Sequence, residues 1–139
     1  MTVRTATGDD AAALASLVVQ LGYPSSTADA ERRLAQLVDE SGQILVAVDG
    51  GVVGFIHVRV GRSLEHDPRA EICGLAVDES HRSRGIGREL VEAAEEWARQ
   101  RGLQRIRVRS NVKRERARTF YERHGYRVTK AQNVFDKDL

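Results

Sequence analysis

The feature that most constrains the fold is an apolar segment from Glu71 to Val77, followed by a short loop and a helix-forming segment near Ile86. The apolar segment is predicted to be a strand with both faces buried, because it lacks alternation of polar and apolar residues. A helix that begins directly after a loop presents backbone N–H groups without partners in the helix. The helix dipole adds partial positive charge there. The sequence therefore predicts a phosphate-binding site at this loop.

The loop carries three arginines and two glycines. Arg82, Arg84 and Arg88 add full charges near the helix start, while Gly85 and Gly87 let a ligand approach the main chain closely. The absence of Gly-Lys-Ser/Thr excludes a P-loop. No third glycine follows Gly85 and Gly87 at the spacing of the dinucleotide-binding fingerprint, so that fingerprint is excluded. A phosphorylated ligand other than a mononucleotide or nicotinamide cofactor is expected, although a turn with merely solvated arginines stays an alternative.

Composition predicts one globular domain covering residues 1–139. Apolar residues make up 41% of the 139 positions and charged residues 30%, which is typical of a folded soluble chain. No apolar run is long enough to span a membrane, and no signal-peptide pattern is present, so a cytoplasmic protein without membrane contact is expected. The lone Cys73 lies in the apolar strand, where we predict a buried small hydrophobic residue rather than a nucleophile.

Charge is unevenly distributed along the chain. Residues 1–80 contain 6 Lys and Arg against 12 Asp and Glu, whereas residues 81–139 contain 16 against 8. This asymmetry predicts a polyanionic ligand for the second part and favours a cation, such as an amine, at the first. Arginine-rich solvent faces of ordinary helices would account for part of the excess.

Periodicity predicts a mixed α+β chain with a mixed sheet and helices on both faces. The strand–helix–strand unit within residues 70–109 should be parallel with a right-handed crossover, and the other strands antiparallel. Gly74, inside a strand, predicts a bulge or a close backbone approach.

Strands are predicted at 2–6, 43–48, 52–60, 70–77, 105–109, 126–129 and 133–135. Helices are predicted from Asp9 or Asp10 to Leu21, at 27–39 with Leu34, Leu37 and Val38 inward, from Ile86 to a stop at Gly102, and at 114–124 with Ala117, Phe120, Tyr121 and His124 inward.

Three segments resemble the GNAT superfamily of acyl-CoA-dependent N-acetyltransferases. The stretch Arg82-Ser-Arg-Gly85-Ile-Gly87 fits its Arg/Gln-x-x-Gly-x-Gly/Ala signature. The stretches Leu75-Ala-Val-Asp78 and Ala117-Arg-Thr-Phe-Tyr-Glu-Arg-His-Gly-Tyr126 resemble the flanking motifs. The resemblance covers nearly the whole chain and implies the GNAT acyltransferase fold, with a parallel strand–helix–strand unit splayed to hold the coenzyme.

The resemblance implies acetyl-CoA as cosubstrate and no metal. In GNAT proteins the pantetheine arm lies along a strand as an added strand would, and one strand N–H polarises the thioester oxygen. Many members place an asparagine at the position of Arg114; we assign that role to the nearby Asn111, with Arg114 as the alternative. The implied coenzyme-binding residues are Leu75, Ala76, Val77, Arg82, Ser83, Arg84, Gly85, Ile86, Gly87, Arg88 and Asn111.

Two catalytic residues follow from the same resemblance. Tyr121 matches the tyrosine that protonates the departing thiolate; the alternative is that it only fills core on its inward helix face. Glu71 precedes the loop by the interval of the catalytic glutamate of histone-acetylating members. A solvent-facing glutamate with a water chain as base is the alternative. His57 and Tyr126 are interpreted as structural.

The acceptor is predicted to be a primary amine of a small molecule. Its pocket should use residues 21–26, 61–69 and the C-terminal hairpin, with Tyr23, Glu65 and Asp67 as amine contacts. Alternatives are a protein lysine, a protein N-terminus or an aminoacyl-tRNA, and a non-catalytic acyl-CoA sensor. Nucleic acid is not expected, because few aromatic residues interleave the arginines. Homodimers are common in the superfamily, but no sequence pattern indicates one here.

Overall fold

The computed structural model describes residues 1–37, 39 and 41–139. These residues form two compact units, Met1–Val108 and Arg109–Leu139. None of the described helices combines the length and the apolar character needed to cross a membrane.

Within its described residues, the first unit contains five strands and three α-helices. The strands are β1 (Thr2–Thr5), β2 (Gly42–Val48), β3 (Val52–Gly61), β4 (Arg69–Val77) and β5 (Ile106–Val108). The helices are α1 (Ala11–Gln20), α2 (Thr27–Leu37) and α3 (Ile86–Gln100), with short 3-10 turns at Gly8–Asp10 and Glu79–His81.

The five strands form one sheet in the order β1-β2-β3-β4-β5. All neighbours are antiparallel except β4 and β5, which are parallel and flank α3 in sequence. Neighbouring residues of β3 point to opposite faces: Phe55 packs with Leu14 and Leu17 of α1, whereas Gly54 lies against α3. The predicted mixed α+β class, with a parallel unit and helices on both faces, is therefore confirmed.

The helix ends differ in detail from the predictions. Asp10 directly precedes α1, but its carboxylate accepts from the Thr7 N–H and pairs with Arg4 at 2.8 Å instead of capping α1. The α2 helix ends at Leu37, whose side chain is exposed, so its predicted inward orientation is wrong. Only Ala30 and Leu34 of α2 are buried, because the helix packs with a narrow stripe mainly against α1: Ala30 clusters with Ala11 and Ala15, and Leu34 with Leu14 and Leu17. Val38 lies outside the described residues.

A bulge interrupts β4 at Cys73. His57 of β3 lies opposite Gly74 and Val58 lies opposite Ile72, so Cys73 is an extra residue without a counterpart. This confirms the bulge predicted from Gly74. Cys73 itself is exposed, and the prediction of a buried side chain is wrong. The extra residue of a bulge leaves the regular in-and-out alternation of its strand, so the apolar context no longer decides its burial.

The second unit contains α4 (Glu115–Arg123), which ends before Gly125 at φ 88°. The four side chains that were predicted to face inward are all half-buried: Ala117, Phe120, Tyr121 and His124. The two strands predicted at 126–129 and 133–135 are not formed, although every residue from 126 to 139 is described. Val134 and Phe135 are exposed. Alternating residues favour a strand, but a strand also needs a hydrogen-bonded neighbour, and this unit supplies none among its described residues.

Candidate active site

The second half of β4 has one open edge. On one side β4 pairs with β3 as far as Val77, whereas the described ladder to β5 contains three residue pairs and ends at Ile72. The four residues from Gly74 to Val77 lie beyond the end of that ladder, and no described strand pairs with them on the β5 side.

The direction of the open backbone groups follows from the neighbouring ladder. The Asp78 N–H donates to the carbonyl of Val53 in β3 at 2.8 Å. N–H groups alternate between the two sides of a strand, so the Ala76 N–H also points to β3. The N–H groups of Leu75 and Val77 point to the open edge. Of the three sequence-predicted strand residues, these two offer free donors to a ligand lying there.

The loop after β4 directs backbone N–H groups outward. Gly85 has φ 80° and Ser83 has φ 65°, both in the left-handed region that residues with a Cβ seldom adopt. The first α3 hydrogen bond runs from the Glu89 N–H to the Gly85 carbonyl at 3.1 Å. The N–H groups of residues 86–88 precede that bond, and Gly85 has no side chain to cap them. Successive N–H groups in such a turn form an anion-binding concavity.

The charged residues of the loop surround this helix start. Arg82, Arg84 and Arg88 are all exposed. The Arg82 Nε donates to the Val77 carbonyl at 3.2 Å, and the Arg88 Nε lies 3.0 Å from the Glu92 carboxylate. Exposed guanidinium groups keep their hydration, so they can approach an anion without a large desolvation cost.

The first turn of α3 is fixed by close packing on the sheet. Ile86 is buried, with 4% of its surface exposed. A Cβ at Gly54 would lie 3.0 Å from the Ala76 carbonyl oxygen and 3.1 Å from a methyl carbon of Leu90. Gly54 therefore permits the close approach that places the helix start beside the end of β4. Sequence reasoning missed Gly54, because nothing local distinguishes it from other strand glycines.

Glu71 lies in the closed half of β4 within a charged cluster. Its carboxylate is 3.3 Å from Arg59 Nη2 and 4.0 Å from Arg69 Nε. Only 7% of Glu71 and 8% of Arg69 are exposed, so the alternative of a solvent-facing glutamate is wrong. A Cβ at Gly61 would overlap the Glu71 carboxylate. Sequence reasoning missed Arg59 and Gly61, which meet Glu71 through the pairing of β3 with β4, and Arg69, which lies two residues before Glu71 on the same face of β4.

His57 is half-buried in β3, opposite Gly74. Burial lowers the pKa of its imidazole, and the positive charge of Arg59 lowers that pKa further. The imidazole is therefore neutral at pH 7. Its position two residues before Arg59 places it on the sheet face that carries Glu71.

Tyr121 belongs to the second unit and packs among aromatic rings. Its ring centroid is 5.1 Å from that of Phe120 and 5.5 Å from that of Tyr126, both edge-on. Burial raises the pKa of Tyr121 to about 12, with Arg114 acting in the opposite direction. The phenol is therefore neutral at any physiological pH. Tyr126 packs against Tyr121, as its structural interpretation predicts.

Asn111 and Arg114 are exposed residues at the start of the second unit. The Asn111 side-chain oxygen accepts from the Lys113 N–H at 3.0 Å, and its main-chain carbonyl accepts from the Arg114 N–H at 2.9 Å. Asn111 thereby forms the turn that leads into α4. Its side-chain amide hydrogens are not used in this turn.

The predicted residues divide between the two units. Glu71, the open edge and the loop follow one another in the first unit, whereas Asn111 and Tyr121 lie in the second. The proposed amine contacts Tyr23, Glu65 and Asp67 are all exposed. Among the described residues, no group of three His, Cys, Asp or Glu could hold a metal ion.

Comparison with known proteins identifies the family. The profile of the Acetyltransferase (GNAT) family matches residues 12–126. An aminoglycoside N(6')-acetyltransferase type 1 of Stenotrophomonas maltophilia is 30% identical over 99% of this chain and 94% of its own length. An aminoalkylphosphonate N-acetyltransferase of Salmonella typhimurium is 37% identical over 67% of this chain and 62% of its own length.

Solved structures share the fold. A protein described as a transcriptional regulator from Bacillus halodurans superposes with a TM-score of 0.88 at 24% identity, covering 98% of this chain and 99% of the other. The aminoglycoside N-acetyltransferase AAC(6')-Iy, solved with CoA, superposes with a TM-score of 0.87 at 17% identity, covering 99% and 95%. The family match over most of the chain decides the assignment: this chain belongs to the GNAT family and is an acetyl-CoA-dependent N-acetyltransferase.

Proposed function

We propose that residues 1–139 work as one domain that transfers the acetyl group of acetyl-CoA to a primary amine of a small molecule by direct attack. The observation that carries the proposal is the succession of an open strand edge, a left-handed turn and an uncapped helix start at Ile86. This succession offers backbone donors first to an extended amide-bearing chain and then to a diphosphate.

In this proposal the coenzyme binds mainly to backbone. The diphosphate accepts from the N–H groups of Ser83 to Arg88, and the arginines of the loop add long-range attraction for about four negative charges. The pantetheine arm runs along Leu75–Val77, and we assign to Asn111 the role of donating to it with its side-chain amide. The thioester oxygen accepts from the N–H of Leu75 or Val77, because the Ala76 N–H points to β3.

The amine must lose a proton before it attacks. An alkyl ammonium with a pKa near 10 is neutral in only about one part in a thousand at pH 7. We assign its deprotonation to Glu71, whose carboxylate is already held at a fixed place by Arg59, Arg69 and Gly61. The amine lone pair then forms the C–N bond, the C–S bond breaks with its electron pair going to sulfur, and the nitrogen releases its second proton to solvent as the neutral amide forms.

The departing sulfur needs a proton donor. We assign this role to Tyr121, whose raised pKa keeps the phenol protonated. The hydroxyl hydrogen-bonds to the developing thiolate and delivers its proton, and the phenol regains a proton from solvent. This role is compatible with the aromatic packing of the ring, because packing fixes the ring and leaves the hydroxyl available.

The named relatives favour a small-molecule acceptor. One acts on an aminoglycoside and another on an aminoalkylphosphonate. Both substrates are small amines, and we extend that class, not either compound, to this chain. Protein and aminoacyl-tRNA acceptors have no comparable support, and the presence of Tyr121 together with the phosphate-binding loop argues against a sensor without activity.

The experiment is thiol release from acetyl-CoA in the presence of single amines. The panel contains aminoglycosides, aminoalkylphosphonates, polyamines, amino acids and lysine-containing peptides, each with acetyl-CoA alone as the blank. We expect saturable, amine-dependent release with one or more small amines. Turnover with peptides alone would reject a small-molecule acceptor. Tight binding of acetyl-CoA without turnover by any amine would favour the sensor.

A further inference from the structure

Gln20, the last residue of α1, bridges to the residues that follow β4. Its side-chain amide donates to the Asp78 carboxylate at 2.7 Å and accepts from the Glu79 N–H at 3.0 Å. The two contacts together fix the orientation of the amide, since a flipped amide would oppose donor to donor and acceptor to acceptor. Gln20 and Asp78 are far apart in sequence, so this bridge is a tertiary contact.

Asp78 is the centre of this bridge. Its carboxylate accepts from the Ser80 hydroxyl and lies 3.2 Å from His81 Nδ1. These hydrogen bonds, those of Ser80 and Gln20 first, lower the pKa of Asp78. Its own N–H remains bonded to Val53 of β3. Asp78 thus connects the sheet, α1 and the 3-10 turn that precedes the coenzyme loop.

Packing contributes little to holding this turn. A cavity of about 390 Å³ lies against Asp78 and His81, between α1 and the β2–β3 turn. Residues 82–85 beyond the turn are exposed, and Ser83 keeps φ 65°. A residue with a Cβ stays in that region only when its surroundings enforce it. Hydrogen bonds are therefore the main restraint on the start of the loop.

We propose that Gln20 is a positioning residue for coenzyme binding: through Asp78 and the Glu79 N–H it holds the 82–88 loop in the conformation that receives the diphosphate. This inference rests on the proposed function of that loop. Gln20 does not touch the coenzyme. Its removal leaves the donors present but less ordered, so that binding must order them.

The test compares Gln20→Leu, Asp78→Ala and the double variant with the wild type. Gln36→Leu, on the exposed side of α2, is the matched control. The measurements are the Kd of CoA by calorimetry, and kcat and KM for acetyl-CoA with an amine that supports turnover. Thermal unfolding verifies that each variant is folded. Gln20→Glu, which keeps the acceptor for Glu79 and loses the donor to Asp78, replaces Gln20→Leu if that variant does not fold.

We expect Gln20→Leu to raise the Kd of CoA and the KM of acetyl-CoA about 5–30-fold, the effect of one or two lost hydrogen bonds. The value of kcat at saturating acetyl-CoA should stay within about twofold of wild type, because the bound loop is the same. The double variant should be weaker than either single variant by less than the sum of the two effects, since Gln20→Leu and Asp78→Ala both remove the Gln20–Asp78 hydrogen bond. Gln36→Leu should match wild type.

An unchanged Kd in a folded Gln20→Leu variant would overturn the proposal, as would a fall in kcat with KM unchanged. Additive effects in the double variant would also overturn it. Failure of the proposed function gives a different result: the wild type itself then shows no binding of CoA.

Discussion

The two halves of β4 differ in their neighbours, and the difference separates two tasks. Residues 70–72 have strands on both sides, and Glu71 among them is buried beside Arg69. Residues 74–77 have a strand on one side, and their remaining N–H groups face the open edge. The closed half holds the Glu71 side chain at a fixed place, whereas the open half offers backbone N–H groups to a ligand. The bulge at Cys73 divides the halves, so one strand holds a charged side chain and a binding edge a few residues apart.

This comparison predicts that changes in the two halves affect different constants. Changes around Glu71 should alter kcat with little effect on coenzyme affinity. Changes at the loop that continues the open half should alter coenzyme affinity with little effect on kcat.

The largest effect is expected for Glu71→Gln. Loss of a general base should lower kcat about 100- to 10,000-fold at pH 7, while the Kd of CoA stays near that of wild type. Steady-state kinetics and calorimetry measure the two constants. Glu31→Gln, on the exposed surface of α2, controls for the loss of one negative charge. A folded Glu71→Gln variant with wild-type kcat would transfer the role of base to ordered water.

Tyr121→Phe should lower kcat about 10- to 1000-fold and leave the Kd of CoA unchanged, because the hydroxyl acts only on the leaving sulfur. The pH profile gives a second measure. An acid works in its protonated form, and a pKa raised to about 12 keeps Tyr121 protonated over a wider range of alkaline pH. The rate should therefore show no alkaline fall below about pH 10. An alkaline limb near pH 9 that disappears in Tyr121→Phe would contradict this environment for the phenol.

Gly85→Ala should weaken coenzyme binding selectively. Holding alanine at φ 80° costs about 1–2 kcal/mol, so the Kd of CoA should rise about 5–30-fold while kcat is unchanged. Gly8→Ala is the matched control, because open space surrounds both positions and Gly8 has no left-handed φ. Equal affinity in the Gly85 and Gly8 variants would show that the left-handed turn is not needed for binding.

The last prediction concerns stability. It compares two glycines of the β3–β4 pair, one on each side of the bulge. Gly61→Ala places a Cβ against the Glu71 carboxylate and should lower the free energy of unfolding by about 1–3 kcal/mol. A Cβ at Gly74 would meet only the Phe55 ring, at 3.5 Å, which is an ordinary contact. Gly74→Ala should therefore change the free energy of unfolding by less than about 1 kcal/mol. Urea unfolding followed by circular dichroism measures both. Equal losses would indicate that the Glu71 side chain moves freely.

Sequence reasoning predicted the elements whose signals are local. The strand before the loop, the helix start at Ile86 and the bulge near Gly74 follow from residue pattern and glycine placement. The two predicted C-terminal strands failed because pairing is not local: a pattern can favour extension without providing a partner.

The surroundings of the candidate site were harder to predict for the same reason. Arg59 and Gly61 meet Glu71 only through the pairing of β3 with β4, whose register shifts by one residue at the bulge, whereas Arg69 lies two residues before Glu71 on the same face of β4. Gln20 reaches Asp78 through the packing of α1 near the end of β4. Such contacts depend on the folded arrangement of distant segments, and no single segment contains their signal.

Calorimetric titration of the folded protein with acetyl-CoA is the most direct test of the central claim, that the open edge of β4 and the helix start at Ile86 bind the coenzyme. We predict a saturable heat with one site per chain and a Kd in the micromolar range, weakened by salt because the ligand is a polyanion. No heat at millimolar acetyl-CoA would contradict the account.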